Sequence, residues 1–183
     1  MGMIDGTAII NSRATVDETI SVGARTRIWQ NATVIQGTVI GKDCNVGAGA
    51  VITGAIFGDN CRISSNAVMG PGFKIGNNVF IGPGVVLAND LYPFVDKTGF
   101  DDAALREGDR FAIIIEDDAA IGANAVILPG ARIGKGALVS ALTLCRGNVP
   151  PGHMMLKTGQ ITVRKGVDLE KRMRWASERE FQE

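Results

Sequence analysis

Residues 16–52 read VDETISVGARTRIWQNATVIQGTVIGKDCNVGAGAVI, and in this stretch a short aliphatic residue returns every six positions. The same period of six extends over most of the chain in three runs, the second of which begins after one five-residue step. The residues, here called the ladder, are Ile4, Ile10, Val16, Val22, Ile28, Val34, Ile40, Val46 and Ile52; then Phe57, Ile63, Met69, Ile75, Ile81 and Leu87; then Ile115, Ile121, Ile127, Ile133, Val139 and Cys145. A period of six matches neither the stripe of an amphipathic helix nor the two-residue alternation of a single strand. It is typical of a parallel β-helix, and the short strands of an ordinary sandwich would not keep so constant a phase.

The residues beside the ladder explain how such a chain would turn. Glycine often follows the ladder residue directly and suits a tight corner, because it has no Cβ and tolerates a positive φ. These glycines are Gly23, Gly41, Gly47, Gly58, Gly70, Gly76, Gly82, Gly122 and Gly134. Small residues, mostly alanine, stand four positions after the ladder. We therefore predict an all-β prism in which three hexads close one triangular coil, with about seven coils over roughly 30 Å.

Composition supports a single prism and argues against several other classes of protein. The 183 residues are 45% hydrophobic but only 5% aromatic, which fits a core of small aliphatic layers. The formal net charge is zero, so there is no electrostatic case for binding nucleic acid or an anionic membrane. No apolar stretch approaches the ~20 residues of a membrane span, and no secretion signal is visible at the N-terminus. Cys44, Cys61 and Cys145 stand at small or core positions, which indicates buried, reduced thiols in a cytoplasmic protein.

Two segments break the six-residue phase. Residues 88–114 read ANDLYPFVDKTGFDDAALREGDRFAII, and an insertion of this length must protrude from one corner of the prism. Later, the turn Val149-Pro150-Pro151-Gly152 is predicted to leave the coils. Residues 167–181 have apolar side chains at helical spacing, which predicts a short C-terminal helix that caps the open end. The predicted organisation is a β-helix over residues 1–160, including loop 88–114, followed by a C-terminal extension over residues 161–183.

The hexads, the protruding loop and the terminal turn resemble the hexapeptide-repeat acyltransferase superfamily over residues 1–160. The sequence Phe80-Ile81-Gly82-Pro83-Gly84-Val85-Val86-Leu87-Ala88-Asn89-Asp90-Leu91-Tyr92-Pro93 is most similar to bacterial N-acetyltransferases that act on nucleotide-linked deoxyaminosugars. The resemblance implies a left-handed β-helix, since the period itself does not define handedness. It also implies a homotrimer with acetyl-CoA bound between neighbouring prisms.

The resemblance assigns catalytic roles to Asn89 and Asp90. Many members of the superfamily carry a histidine base on the loop, but the single histidine of this chain, His153, lies beyond it. A sugar hydroxyl needs such a base, whereas an amine in its neutral form is already nucleophilic. Asn89 would hold the sugar amine, with Asp90 as a second contact to the amine or ammonium. The alternative is that Asn89 and Asp90 only form a turn where the loop begins.

Further loop residues are predicted to contact the substrate. Tyr92 and Pro93 would line the sugar pocket, or would only stiffen the turn. Lys97 and Arg106 would meet the diphosphate, because phosphate attracts Lys and Arg, although each could equally be a solvated charge.

The predicted cofactor-binding residues lie in the last coils and beyond. Ser140 and Ala141 are small, as expected where a pantetheine arm lies, and Lys157, Arg164 and Lys165 could meet the phosphates of CoA. No metal is expected, because the acidic pairs of the loop have no histidine beside them. A zinc-dependent carbonic anhydrase of the same fold would need three histidines, and no Rossmann motif is present.

Three functions remain open at this point. The first is transfer of an acetyl group from acetyl-CoA to the amino group of a nucleotide-linked deoxyaminosugar for surface polysaccharide (lipopolysaccharide) synthesis. The second is acyl transfer by the same fold to another small amine or an amino acid. The third is a prism without catalytic activity that serves as a scaffold or binding module.

Overall fold

The computed structural model describes residues 2–91 and 111–164, and it shows how a six-residue period coils the chain. Each hexad contributes a strand of two or three residues, and in most strands the last residue is the inward-facing ladder residue. The residue before it faces outward, and the residues between strands form a corner. After three hexads the chain lies above its starting point, so Ile28 pairs with Ile10 on one side and with Val46 on the other.

The strands form the three faces of a triangular prism. Face I contains, in spatial order, β1 (Ile9–Ile10), β4 (Arg27–Ile28), β7 (Asn45–Val46), β10 (Arg62–Ile63), β13 (Phe80–Ile81), β16 (Ala120–Ile121), β19 (Leu138–Val139), β21 (His153–Met155) and β22 (Ile161–Val163). Face II contains β2 (Thr15–Val16), β5 (Thr33–Ile35), β8 (Val51–Thr53), β11 (Val68–Met69), β14 (Val86–Leu87), β17 (Val126–Ile127) and β20 (Leu144–Cys145). Face III contains β3 (Ser21–Val22), β6 (Val39–Ile40), β9 (Ile56–Phe57), β12 (Phe73–Ile75), β15 (Ile113–Ile115) and β18 (Arg132–Ile133).

The coils form a left-handed parallel β-helix of about seven turns, as predicted. Within the described residues every strand pairing is parallel except the last, in which β22 runs antiparallel to β21. The chain passes from face III to face I, then to face II, and back to face III. The three edges of the prism are named here by the faces they join: the III–I edge, the I–II edge and the II–III edge.

The ladder residues form one continuous core, which confirms the inward stack. From Val22 to Cys145 every ladder side chain is buried, and the small residues four positions later, such as Ala32, Ala67 and Ala125, are buried beneath the corners. Ile4, by contrast, is 43% exposed, because it lies in the first coil, which has a neighbouring coil on one side only. Cys44, Cys61 and Cys145 are buried free thiols, as predicted.

The glycines that follow the ladder have a different role from the one predicted. In most corners the positive φ lies three residues after the ladder residue, as at Asn60 (φ 56°) and Asn66 (φ 58°), and not at the glycine. The glycines are needed because the next coil lies directly above them. A Cβ on Gly23 would lie 2.6 Å from the carbonyl carbon of Gly41, and one on Gly82 would lie 2.7 Å from the amide nitrogen of Ala123. The requirement is therefore close packing between coils and not left-handed backbone.

The loop and the C-terminal turn differ in how they interrupt the coils. β14 ends at Leu87 and β15 begins at Ile113, and β15 pairs with β12 in the register that an uninterrupted coil would have. The Val149–Gly152 turn does not leave the prism as predicted, because β21 follows it and pairs in parallel with β19 on face I. Residues 92–110 of the loop and the predicted helix at 167–181 lie outside the described residues. In the described part of the chain, no helix has the length and apolar character needed to cross a bilayer.

Candidate functional site

Asn89 and Asp90 lie on the II–III edge, directly after β14, where the inserted loop begins. β17 of the next coil holds this point in place, because the Ala88 amide donates a hydrogen bond to the Ile127 carbonyl at 2.9 Å. Both side chains are half-buried, and the next residue, Leu91, is 51% exposed. The structure therefore brings the two predicted catalytic residues together at the opening of the loop.

The side chain of Asn89 lies over Gly70 of the preceding coil. Its Nδ2 atom would be 2.7 Å from a Cβ placed on Gly70, so only glycine leaves room for the amide in this position. The amide makes no hydrogen bond with any other described residue. A half-buried amide with free donors and acceptor, held by backbone on one side, is suited to bind and orient a ligand.

A cleft of about 490 Å³ lies on face III, beside the strand that follows the loop. Lys74 of β12, Ile114 of β15 and Arg132 of β18 stand in register on its floor. The Nζ atom of Lys74 lies 5.4 Å from the ring centroid of Phe111, a cation–π distance. Lys135 is also part of the lining, and its Nζ atom lies 3.9 Å from the carboxylate of Asp118.

Lys74 and Arg132 provide unpaired positive charge in this cleft, whose lining also contains the carboxylates of Glu116 and Asp117. Neither side chain pairs with a carboxylate among the described residues. The prediction from sequence missed both residues, as well as Phe111. Their signal was present, because Lys74 and Arg132 each precede a ladder residue, and that position faces outward on every strand.

The predicted cofactor-binding residues are spread over the last coils. Ser140 and Ala141 lie on the I–II edge, with Ser140 half-buried and Ala141 exposed. Lys157 is exposed in the turn between β21 and β22. Arg164 donates a hydrogen bond from Nη1 to the carbonyl of Gly136 at 2.8 Å, which is on the III–I edge. Within one chain these residues do not form a single site with Asn89.

A second groove, of about 560 Å³, crosses the outer surface of face I. Its lining is mostly apolar and includes Phe80, Leu138, Met154 and Val163, with Arg164 at its border. β22 forms one wall. This groove was not predicted, because no periodic pattern indicates that residues 161–163 return as an antiparallel strand.

His153 lies on a different part of the prism from Asn89, where the loop begins. It lies on β21 of face I, and its Nδ1 atom is 2.9 Å from the carbonyl oxygen of Pro151. Among the described residues, no group of three His, Cys, Asp or Glu side chains is arranged to hold a metal ion. Tyr92, Pro93, Lys97, Arg106 and Lys165 lie outside the described residues, so their predicted roles stay predictions.

Cys61 and Cys145 have no place in a reactive site. The hydrogen bond with Cys44, together with burial, raises the pKa of the Cys61 thiol, and burial raises the pKa of Cys145. A raised pKa keeps a thiol protonated and unreactive. Both residues therefore serve as small apolar parts of the core.

Comparison with known proteins agrees with the fold. The family model "Bacterial transferase hexapeptide (six repeats)" matches residues 19–54 and 54–89, and the model "Hexapeptide repeat of succinyl-transferase" matches residues 112–141. A curated relative, 2,3,4,5-tetrahydropyridine-2,6-dicarboxylate N-acetyltransferase of Staphylococcus aureus (strain JH9), is 43% identical over 58 residues. The match covers 32% of this chain and 24% of the relative, so this chain spans about a quarter of that relative's length.

Solved structures resemble nearly the whole chain at low sequence identity. A variant of AntD, an N-acyltransferase from Bacillus cereus, in complex with dTDP-4-amino-4,6-dideoxyglucose and coenzyme A, superposes with a TM-score of 0.54 at 14% identity, covering 97% of this chain and 91% of that one. PerB from Caulobacter crescentus, in complex with CoA and GDP-perosamine, has a TM-score of 0.53 at 17% identity, covering 85% of this chain and 57% of that one. At this level of identity the likeness concerns the fold. The six-residue ladder, the left-handed prism and the two family models together show that residues 19–89 and 112–141 of this chain are hexapeptide repeats of the kind found in bacterial transferases.

Proposed function

We propose that this protein is an acyl-CoA-dependent N-acyltransferase that moves an acetyl group from acetyl-CoA to the amino group of a nucleotide-linked deoxyaminosugar, for surface polysaccharide synthesis. The observation that carries the proposal is the free amide of Asn89 where the loop begins, with the chain's single histidine on another face. AntD and PerB, which share the fold, were solved with an aminosugar nucleotide and CoA bound, and this supports the substrate class.

Acyl transfer to an amine needs less from the protein than transfer to a hydroxyl. The amine nitrogen attacks the thioester carbonyl carbon, the bond from carbon to sulfur breaks, and the CoA thiolate leaves and accepts a proton. Asn89 would orient the neutral amine by a hydrogen bond, and Asp90 would provide a second contact that favours the ammonium on arrival. No strong base is required in this scheme, in keeping with the position of His153 on face I, away from the edge that carries Asn89.

The cleft on face III suits the diphosphate of a nucleotide-linked sugar. Lys74 and Arg132 have no carboxylate partner among the described residues, and guanidinium and ammonium groups form charge-assisted hydrogen bonds with phosphate oxygens. Phe111 offers an aromatic edge at the same cleft. Tyr92, Pro93, Lys97 and Arg106 would complete the substrate site from the loop.

The acyl donor is proposed to bind along the I–II edge, beside Ser140 and Ala141, where small side chains leave room for a pantetheine arm. Lys157 is exposed and free to meet a phosphate, and Lys165 is proposed as a further phosphate contact, while Arg164 already uses one donor on Gly136. This edge is not the one that carries Asn89, so a complete site needs a second chain.

A homotrimer would supply that second chain. The outward residues of face II form an aliphatic row on five consecutive strands, in the order Val51, Val68, Val86, Val126 and Leu144. Val68 is 43% exposed and Leu144 is 44% exposed, which is costly for a row of apolar side chains in water. Face II lies between the I–II edge and the II–III edge. A head-to-tail contact around a three-fold axis would therefore bury the row and set the donor edge of one chain beside the Asn89 edge of its neighbour.

Release of free CoA thiol from acetyl-CoA tests the proposal. The acceptors are dTDP-4-amino-4,6-dideoxyglucose, GDP-perosamine, their analogues with hydroxyl in place of the amine, and a set of free amino acids. We expect thiol release with an aminosugar nucleotide and none with its hydroxyl analogue. Efficient acetylation of the hydroxyl analogue would contradict the proposed mechanism.

The same panel decides between the proposal and its alternatives. The 43% identity with an N-acetyltransferase that acts on a small dicarboxylate favours a second candidate, acyl transfer to a small amine or amino acid. That function would appear as turnover with amino acids and none with aminosugar nucleotides. A chain that binds neither acetyl-CoA nor any acceptor would instead be a scaffold or binding module.

A further inference from the structure

On the III–I edge, three acidic or amide side chains each lie directly above a glycine of the preceding coil. We call this side-chain position the seat. Each stands two residues after a ladder residue, and its Oδ1 atom accepts a hydrogen bond from the backbone N–H of the residue that follows that glycine. This N–H has no partner in the backbone ladder, so the side chain satisfies it. The donor and acceptor pairs are Lys42 and Asp59 (2.9 Å), Asp59 and Asn77 (2.8 Å), and Asn77 and Asp117 (2.7 Å).

Asn89 occupies the equivalent seat on the II–III edge, with one difference. It stands two residues after the ladder residue Leu87 and lies over Gly70, but the residue that follows Gly70 is Pro71. Proline has no N–H to donate. The Nδ2 atom of Asn89 accordingly faces Gly70, at 2.7 Å from the Cβ position, while Oδ1 lies 4.0 Å from it. At the other three seats the oxygen faces the glycine.

We infer that Pro71 is a positioning residue for acyl transfer, because it prevents the backbone from capturing the carbonyl oxygen of Asn89. This inference rests on the proposed function. With Oδ1 turned away from the coil below, the amide can accept a hydrogen bond from an N–H of the acceptor amine. Such a bond fixes the rotation of the amine and leaves its lone pair for attack on the thioester carbon. With any other residue at position 71, the seat would hold Asn89 as the III–I edge holds Asn77.

Pro129 provides a matched control on the same edge. It stands two residues after the ladder residue Ile127, as Pro71 stands after Met69. The equivalent position of the following coil is Gly147, which has no side chain to capture. Replacement of Pro129 therefore restores a backbone N–H in the same kind of corner, where the equivalent position of the following coil offers no side-chain oxygen. Because Pro129 lies in the coil above Asn89, this variant also shows whether any change of proline at this edge disturbs the amide.

The experiment compares Pro71→Ala, Asn89→Ala, the double variant and Pro129→Ala, with acetyl-CoA and dTDP-4-amino-4,6-dideoxyglucose as substrates. We expect Pro71→Ala to lower kcat by at least about fivefold with little change in the KM for acetyl-CoA. The double variant should be no less active than Asn89→Ala alone, because both changes remove one and the same interaction. Pro129→Ala should keep the activity of the unaltered protein.

A second measurement tests, independently of activity, whether a backbone N–H at position 71 forms a hydrogen bond with the Asn89 side chain. In Pro71→Ala labelled with ¹⁵N-alanine, the new amide at position 71 should be protected from hydrogen exchange, and adding Asn89→Ala should remove that protection. If this amide exchanges freely while Asn89→Ala is still damaged, the positioning role is overturned and the proposed function stands. If Asn89→Ala is as active as the unaltered protein, the proposed role of Asn89 fails and the role of Pro71 fails with it.

Discussion

Replacing Asn89 by alanine should separate activity from stability. The amide has no hydrogen bond with another described residue, so its removal should leave the melting temperature within about 1 °C of the unaltered protein. If the amide orients the acceptor amine, its loss should lower kcat/KM at least about tenfold, which corresponds to ~1.4 kcal/mol of transition-state stabilisation. Affinity for acetyl-CoA should not change. The measurements are thiol release, calorimetry of acetyl-CoA binding, and thermal unfolding.

Asn77→Ala is the opposite control. Asn77 has the same type of seat on the III–I edge, but its Oδ1 atom accepts a hydrogen bond from the Asp59 amide at 2.8 Å and its Nδ2 atom donates to Asp117 at 3.3 Å. Loss of the first bond should cost about 1 kcal/mol, since the residue is exposed and water replaces part of the interaction. For a chain of this length that lowers the melting temperature by roughly 2–4 °C. Activity should stay near normal. An Asn89→Ala variant that loses stability but keeps kcat/KM would refute the reasoning, because the two seats would then have equivalent structural roles.

Four further outcomes can be checked. Val86→Asp puts a charge in the middle of the aliphatic row of face II. It should therefore convert the proposed trimer to ~19 kDa monomers in sedimentation and abolish turnover. A variant that stays trimeric would exclude that row as the interface. Gly76→Ala should lower the melting temperature markedly, because its Cβ would lie 2.7 Å from the Asp117 amide nitrogen, whereas Gly147→Ala has nothing within 4 Å and should be neutral. The value of kcat/KM should rise from about pH 6 to about pH 8.5 with a slope near one and then level, following an acceptor ammonium of pKa roughly 8; an acid limb near pH 6.5 would indicate a histidine base instead. The hydroxyl of Thr19 donates a hydrogen bond that lowers the pKa of Asp17 below its ordinary 3.8. The Asp17 carboxylate therefore stabilises the fold above pH 3.8, and this contribution is lost as the pH falls through the lowered pKa. Asp17→Asn should accordingly reduce the acid sensitivity of unfolding below about pH 4.

The architecture could be predicted from sequence because one number, the spacing of six, determines it. Each ladder residue from Val22 onward meets the ladder residues of the coils above and below, so a local pattern implies contacts across the whole prism. The burial of the small residues beneath the corners could be predicted for the same reason. The role of the glycines could not be predicted, because the absence of a Cβ permits both a positive φ and close packing of a neighbouring coil. Only the coordinates show that the next coil lies within 3 Å of the Cβ position at Gly23.

The candidate site was less accessible to sequence reasoning. Asn89 was predicted from the resemblance of residues 80–93 to the aminosugar N-acetyltransferases, at a point where the break in the six-residue phase is visible in a single chain. Lys74 and Arg132 are far apart in sequence and come together through their pairing with Ile114, across the insertion. The orientation of the Asn89 amide depends on Pro71 of the preceding coil, and that relation follows from the stacking of coils and not from any motif. The return of β22 along face I likewise had no periodic signal.

The continuity of the coil across the insertion has a consequence for how such a protein can change. The Ala112 amide donates a hydrogen bond to the Gly72 carbonyl at 2.8 Å, and Ile113 to Ile115 pair with Phe73 to Ile75 as they would without an inserted segment. The register of the coils on both sides of the break is therefore fixed by β12 and β15 themselves. Loops from other β-helices of this kind could be exchanged at the insertion point between β14 and β15. A new acceptor specificity could then arise by recombination, while the scaffold, its register and Asn89 at the start of the loop are inherited unchanged.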